Sequence, residues 1–155
     1  MKTWMAVIIM LPAILAGSRS AAGDRVFLET GARNAQTGAV RVAVCLDTDK
    51  PLVCFSVKLT AAGERRELGS ATAVLNEARL PWKDRAVNVE AEGACLAFSV
   101  ADLSGENVMV KPGKGWVFAV DLAPAPGATA PEIRIEEAKA FDRNGNEIKI
   151  SSADR

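Results

Sequence analysis

The chain has 155 residues, of which 49% are hydrophobic and 25% are charged, and its formal net charge is zero. This length suits one domain with its own core, and the composition is typical of globular proteins and excludes an intrinsically disordered chain. A neutral chain gives no indication of binding to nucleic acid or to a membrane surface, so neither is expected as a partner.

The first residues have the pattern of a secretory signal peptide. Lys2 supplies a positive charge, residues 5–16 form a nearly unbroken apolar run, and Ser20-Ala21-Ala22 is a suitable cleavage sequence. The apolar run is shorter than the ~20 residues of a membrane-spanning helix. Ser18 stands where a bacterial lipoprotein would carry its lipid-bearing cysteine. We therefore predict a signal peptide at residues 1–22, a secreted or periplasmic protein, and no membrane insertion after cleavage.

The mature chain alternates between apolar and polar residues, which predicts β-strands along most of its length. Residues 23–37 are interpreted as an N-terminal lead-in, and residues 38–155 as a single sandwich domain. Residues 40–46 and 53–59 each place their large apolar side chains on one face, with a turn-forming sequence between them. We interpret this pair as an antiparallel hairpin.

Further strands follow in chain order, and together they predict an all-β fold. Residues 71–75 form a weaker strand prediction, with a helix over residues 73–79 as the alternative. Asn144-Gly145 predicts a tight turn before the last strand. The other predicted strands lie at residues 86–90, 96–100, 107–110, 116–122, 132–135, 138–141 and 148–150. About nine strands separated by turns are typical of a single two-sheet sandwich.

Three cysteines follow the predicted signal peptide, so one of them must stay unpaired within the chain. Export favours disulfide formation. Cys45 and Cys54 both lie opposite the apolar faces of the predicted hairpin strands and would face each other across it. We predict a Cys45–Cys54 disulfide, and the alternative is that these two and Cys95 are small buried thiols.

The sequence has no pattern typical of an enzyme active site. It contains no histidine, which excludes Ser-His-Asp and Cys-His catalysis and histidine-ligated zinc. No Cys-x-x-Cys pair, phosphate-binding glycine loop or nucleophile elbow occurs. Paired glutamates are compatible with glycoside hydrolysis, but a small sandwich has little room for a deep cleft as well as a core. We expect a protein that is not an enzyme, with no catalytic, cofactor-binding or metal-binding residue.

The aromatic residues bear on the choice between a sugar and a protein ligand. Four of them lie on the apolar faces of predicted strands and are predicted to be in the core, namely Phe55, Phe98, Trp116 and Phe118. Trp82 lies between Pro81 and charged residues in a predicted loop. It is the candidate ligand contact, through stacking on a bound group, with capping of the core as the alternative.

The order of these segments resembles the cohesin family. The resemblance covers about residues 38–151 and rests on four segments, at residues 40–59, 96–110, 113–122 and 138–150. The most specific features are Gly113-Lys114-Gly115, which leads into an apolar strand, and Asn144-Gly145, which precedes the last strand. The family resemblance implies a nine-stranded jelly-roll sandwich that binds dockerin modules. A related family of carbohydrate-binding sandwiches shares this architecture.

The sequence and the resemblance together predict a secreted, non-catalytic, cohesin-like module that binds another protein. Its binding surface is expected on a sheet face and the adjoining loops, and a dockerin-like protein is one expected partner. Polysaccharide binding is the first alternative, and a structural subunit of an envelope or secretion assembly is the second.

Overall fold

Two five-stranded sheets form the regular structure of the described part of the chain. The computed structural model describes residues 23–62, 72–81, 86–102, 104, 107–122 and 132–153. The predicted signal peptide and Trp82 lie outside these residues. The strands are β1 (Arg25–Arg33), β2 (Val40–Thr48), β3 (Cys54–Ala62), β4 (Thr72–Leu75), β5 (Ala86–Glu92), β6 (Cys95–Ala101), β7 (Gly113–Leu122), β8 (Glu132–Phe141), β9 (Glu147–Ile148) and β10 (Ser151–Ala153). Within the described ranges, no helix has the length and the hydropathy that a membrane span requires.

The first sheet has the strand order β10-β1-β2-β7-β4, and the second has the order β5-β6-β3-β8-β9. The predicted all-β sandwich of two sheets is confirmed, and the described residues contain ten strands instead of the predicted nine or so. β1 lies in the segment that was interpreted as a lead-in. It pairs with β2 from Arg25 opposite Asp47 to Arg33 opposite Val40, and Val26 is fully buried.

The core lies between the sheets, where alternate residues of each strand pack against the opposite sheet. Phe98 of β6 and Phe118 of β7 stack across this interior with their ring centroids 3.9 Å apart. Phe55 of β3 is also fully buried. The prediction that these three phenylalanines belong to the core is confirmed. Their large apolar area, removed from water, is a main source of stability for a domain of this size.

The predicted hairpin between residues 40–46 and 53–59 is wrong, because these strands belong to different sheets. β2 pairs with β1 and β7, whereas β3 pairs with β6 and β8. The connection does not continue the alternation of the strands, since Leu52 and Val53 are consecutive buried residues. Leu52 forms an isolated bridge with Val110, and the Val53 N–H donates to the carbonyl of Phe141. The segment thus crosses from one sheet to the other.

The predicted tight turn at Asn144-Gly145 is confirmed, and it joins β8 to β9. Gly145 has a φ of 75°, a conformation that glycine adopts without steric cost. The Asp142 carboxylate accepts hydrogen bonds from the N–H groups of Asn144 and Asn146, at 2.8 and 2.9 Å. These bonds stabilise the carboxylate and hold the pKa of Asp142 below its usual range.

Candidate protein-binding face

The outer face of the second sheet has two central strands with mostly small side chains. Along β3 and β6, buried residues alternate with outward-facing residues that are half-buried or exposed. We call eight of these outward-facing residues the platform: Cys54, Ser56, Lys58, Thr60, Cys95, Ala97, Ser99 and Ala101. Only Lys58 among them has a long side chain, so few large groups project from the platform toward a partner.

The strand register places the platform residues in rows across the sheet. Ser56 is opposite Ser99 on one side and Lys139 on the other, and Lys58 is opposite Ala97. Adjacent strands in a sheet lie about 4.8 Å apart, so these rows form a regular, closely spaced surface. The backbone hydrogen bonds between the strands fix where each platform side chain leaves the sheet.

Charged residues of β8 border the platform and form ion pairs. The Lys58 Nζ lies 3.0 Å from a Glu136 carboxylate oxygen, and the Lys139 Nζ lies 2.6 Å from one of Glu137. The hydrogen bond from Lys58 to Glu136 raises the pKa of the lysine, and the one from Lys139 lowers the pKa of Glu137. These side chains are about half exposed, so such pairs contribute little to folding stability. The ion pairs place both positive and negative side chains beside the uncharged residues of the platform.

The border on the opposite side of the platform, along β5, is acidic. Glu90 and Glu92 are exposed and are opposite Ala97 and Cys95 of the platform. The Asn88 side-chain amide donates a hydrogen bond to Glu90 at 2.9 Å. A partner that covers the platform would therefore meet mixed charges beside β8 and carboxylates beside β5.

Trp116 lies on the outer face of the other sheet, which corrects its predicted place in the core. Its residue surface is 37% exposed. Val44 is opposite Phe118 and Cys45 is opposite Trp116, so Val117 is an extra residue in β7. This bulge reverses the alternation, since Val117 and Phe118 are both fully buried.

Two residues of the turn after β4 donate hydrogen bonds to three successive backbone carbonyl groups at this bulge. The Asn76 side-chain amide donates to the carbonyl of Trp116 at 2.8 Å, and the Asn76 N–H donates to that of Val117 at 2.9 Å. The Arg79 guanidinium donates to the carbonyl of Gly115 at 3.3 Å. Trp116 is thus presented to solvent from a fixed backbone position.

The predicted disulfide between Cys45 and Cys54 is absent, and all three cysteines have free thiols. The physical reason is the crossing between β2 and β3, which puts Cys45 and Cys54 in different sheets. Cys45 is 1% exposed, and burial is the main cause that raises its pKa to about 12. Cys54 and Cys95 share the platform, but Cys95 is opposite Thr60, six residues along β3 from Cys54. That is roughly 20 Å, too far for a bond between them.

Among the described residues, no cluster of three or more cysteine or acidic side chains could hold a metal ion. Trp82, the predicted ligand contact, lies outside the described residues and stays a prediction. Sequence reasoning missed the exposure of Trp116. The alternation of small residues in β3 and β6 was visible, but it did not indicate binding on its own.

No protein-family model and no curated protein sequence matches this chain, whereas solved structures do match it. A non-cellulosomal cohesin from the archaeon Archaeoglobus fulgidus aligns with a TM-score of 0.62 and 14% identity, over 84% of this chain and 86% of the cohesin. The protein has a cohesin fold. The same cohesin fold occurs in a type I cohesin–dockerin complex from Clostridium thermocellum, with a TM-score of 0.63 and 15% identity, over 84% of this chain and 94% of that one.

A type II cohesin module from a cellulosomal scaffoldin of Acetivibrio cellulolyticus also has this fold. It aligns with a TM-score of 0.61 and 10% identity, over 86% of this chain and 95% of the module. The resemblance in segment order that was read from the sequence is therefore confirmed at the level of the cohesin fold. The low identities mean that the fold is shared while most side chains differ.

Proposed function

We propose that the protein is an exported, non-catalytic module that binds a partner protein on the platform. The observation that carries this proposal is the outer face of β3 and β6, which has mostly small side chains, is bordered by ion pairs and is built on a cohesin fold. Support for export comes from the sequence of residues 1–22. N-terminal sequencing of exported protein should give Gly23 as the first residue, and retention of residues 1–22 would contradict export.

The geometry of the platform favours a protein partner for an energetic reason. Its small side chains have few rotamers to lose on binding, and the backbone is already ordered by the sheet. Docking therefore requires little rearrangement. A helix or another rigid element of a partner can pack closely on Ala97 and Ser99, while the charges beside β8 determine its orientation.

We propose a dockerin-like protein as the partner. The structural neighbour from Clostridium thermocellum is a complex with a dockerin, and the platform offers a surface for an interaction of that kind. The acidic border along β5 adds a requirement that belongs to this chain. The partner should place basic or neutral residues, and not carboxylates, next to Glu90 and Glu92.

The decisive variant is Ala97→Arg, which places a long charged side chain at the centre of the platform. Ala97 is exposed, so the substitution should leave the fold intact. It should weaken binding of a dockerin-like partner about 30-fold or more, the effect typical of a residue at the centre of an interface. The measurement is titration calorimetry with a purified panel of dockerins.

Ala32→Arg is the matched control, because Ala32 is also exposed but lies in β1 of the other sheet. It should leave binding unchanged. Equal binding by the wild type and Ala97→Arg would exclude the platform as the docking surface. Loss of binding in both variants would indicate a general effect of added charge.

Polysaccharide binding is the second candidate function, and the exposure of Trp116 is the observation that favours it. An exposed tryptophan on a sheet face can stack on a sugar ring. Trp116→Ala should then abolish retention on an insoluble polysaccharide and leave binding of a protein partner unchanged. Retention of the wild type with no dependence on Trp116 would exclude this surface.

A further inference from the structure

Among the described strands, β5 is a long edge strand of the second sheet. It has seven residues, whereas the other edge strands β4, β9 and β10 have four, two and three. β5 is paired with β6 along its whole length, from Ala86 opposite Ala101 to Glu92 opposite Cys95, without a register shift. No described strand pairs with its other side. Its outer backbone N–H and C=O groups form a row that another strand can use.

This edge has few of the features that usually prevent pairing between protein chains. β5 contains no proline and no lysine, and its register has no bulge. Glu90 belongs to the outer face, whereas Val87 and Val89 are opposite the buried residues Val100 and Phe98. Val89 is 38% exposed, although its register position belongs to the core side. Another strand placed beside β5 would cover it.

The sequence of β5 is complementary to itself in the antiparallel direction. We propose that β5 pairs with β5 of a second copy of this chain, about a twofold axis at Val89. In that register Val89 is opposite its counterpart, Val87 is opposite Ala91, and Asn88 is opposite Glu90. No two carboxylates are directly opposite each other. Asn88 and Glu90 already form a hydrogen bond within one chain, so the same two groups are suited to each other across the axis.

The arrangement has a consequence for the surfaces beside it. An antiparallel pairing of two edge strands relates the copies by an axis perpendicular to the sheet, so both platforms lie on the same side of one ten-stranded sheet. The dimer would present two equivalent surfaces to a partner that carries repeated binding segments, which raises its effective affinity. The self-association itself does not depend on whether the platform binds a protein.

Pairing along one strand of seven residues buries less area than the ~1,600 Å² of a typical stable interface. The dimer should therefore be weak and concentration-dependent. Sedimentation equilibrium of the mature chain over a wide concentration range should show a monomer–dimer equilibrium. A purely monomeric protein at the highest concentration would overturn the proposal.

Cysteine substitutions test the register. In a Cys54→Ser, Cys95→Ser background, Val89→Cys should form a covalent dimer under mild oxidation with oxidised glutathione, because the two residues are opposite each other. Val87→Cys is the matched control. Its two copies would lie roughly 13 Å apart along the strands, beyond the reach of a disulfide. Equal crosslinking of both variants, or crosslinking of neither, would contradict the proposed register.

Val89→Lys tests the energetics. Two lysines would meet at the axis in a covered position, so the dissociation constant of the dimer should rise about tenfold or more. Thr30→Lys adds the same charge at an exposed position of the other sheet. This control should leave the dissociation constant of the dimer unchanged. Monomeric Val89→Lys should still bind a partner of the platform with unaltered affinity for a single site, which separates this proposal from the proposed function. An unchanged dissociation constant in Val89→Lys would overturn the self-association through β5.

Discussion

Cys45 shows how a residue on an outer sheet face can be as inaccessible as one in the core. It is opposite Phe27 in β1 and Trp116 in β7, and Phe27 is only 3% exposed. Lys114 and Arg25 each lie over the Phe27 ring, 6.0 and 5.5 Å from its centroid. Aromatic and cationic side chains thus cover this part of the first sheet, and Cys45 lies beneath them.

The protonation of Cys45 leads to a test at the scale of one residue. Burial first, and then the charge and hydrogen bond of Glu29, raise its pKa from 9.0 to about 12. Between pH 9.0 and about 12, the thiol of the folded protein keeps its proton, whereas the thiol of the unfolded chain has lost it. The free energy of unfolding should therefore fall as the pH rises through this range. Since the thiolate is the reactive species, iodoacetamide should modify Cys45 only after unfolding in urea.

Mass mapping of the labelled peptides measures this directly, and the half-buried Cys95 is the internal control. Labelling of native Cys45 at the rate of Cys95 would contradict the burial. A Cys45→Ala variant should also lose less stability than the wild type above pH 9.0, the ordinary thiol value, because it no longer has the group that titrates differently in the two states.

At the scale of strands, the alternation of residues predicts where most elements lie but not which sheet they join. The core position of Phe98 is predicted correctly because β6 alternates without interruption. The core position of Phe118 is predicted correctly because it follows the bulge and shares its face with Val120 and Leu122. β2 and β3 were paired wrongly, because two strands with equally apolar faces satisfy the same pattern on opposite sides of a sandwich. Only the consecutive buried residues Leu52 and Val53 distinguish a crossing from a turn.

Trp116 was assigned to the wrong face for a related reason. One extra residue in a strand moves every residue before it to the other face. The sequence around Val117 is apolar on both sides, so it contains no signal for the bulge. The hydrogen bonds from Asn76 and Arg79 that hold it come from a turn about 40 residues earlier, as in the pair Asn76 and Trp116.

In the whole molecule, the platform and the core are opposite faces of the same strands. Ala97 and Phe98 are neighbours in β6, yet Ala97 is exposed on the platform and Phe98 stacks on Phe118 in the interior. Residues of the proposed binding surface and residues of the core therefore alternate along the same strand. The side chains of the platform can differ without altering the packing of the core beneath them, which is consistent with a shared cohesin fold at low sequence identity.

Phe98→Leu tests this separation. The smaller side chain leaves part of the inter-sheet space unfilled, so the free energy of unfolding should fall by on the order of 1–2 kcal/mol. Binding of a platform partner should stay within about twofold of the wild type, because Ala97 and Ser99 keep their positions.

Ala97→Arg should have the reverse effect, with lost binding and unchanged stability, since surface substitutions usually change stability by less than about 0.5 kcal/mol. Urea denaturation and calorimetry on both variants measure the two quantities. A Phe98→Leu variant that loses binding while it remains folded would mean that the platform's shape depends on the packing of the core beneath it.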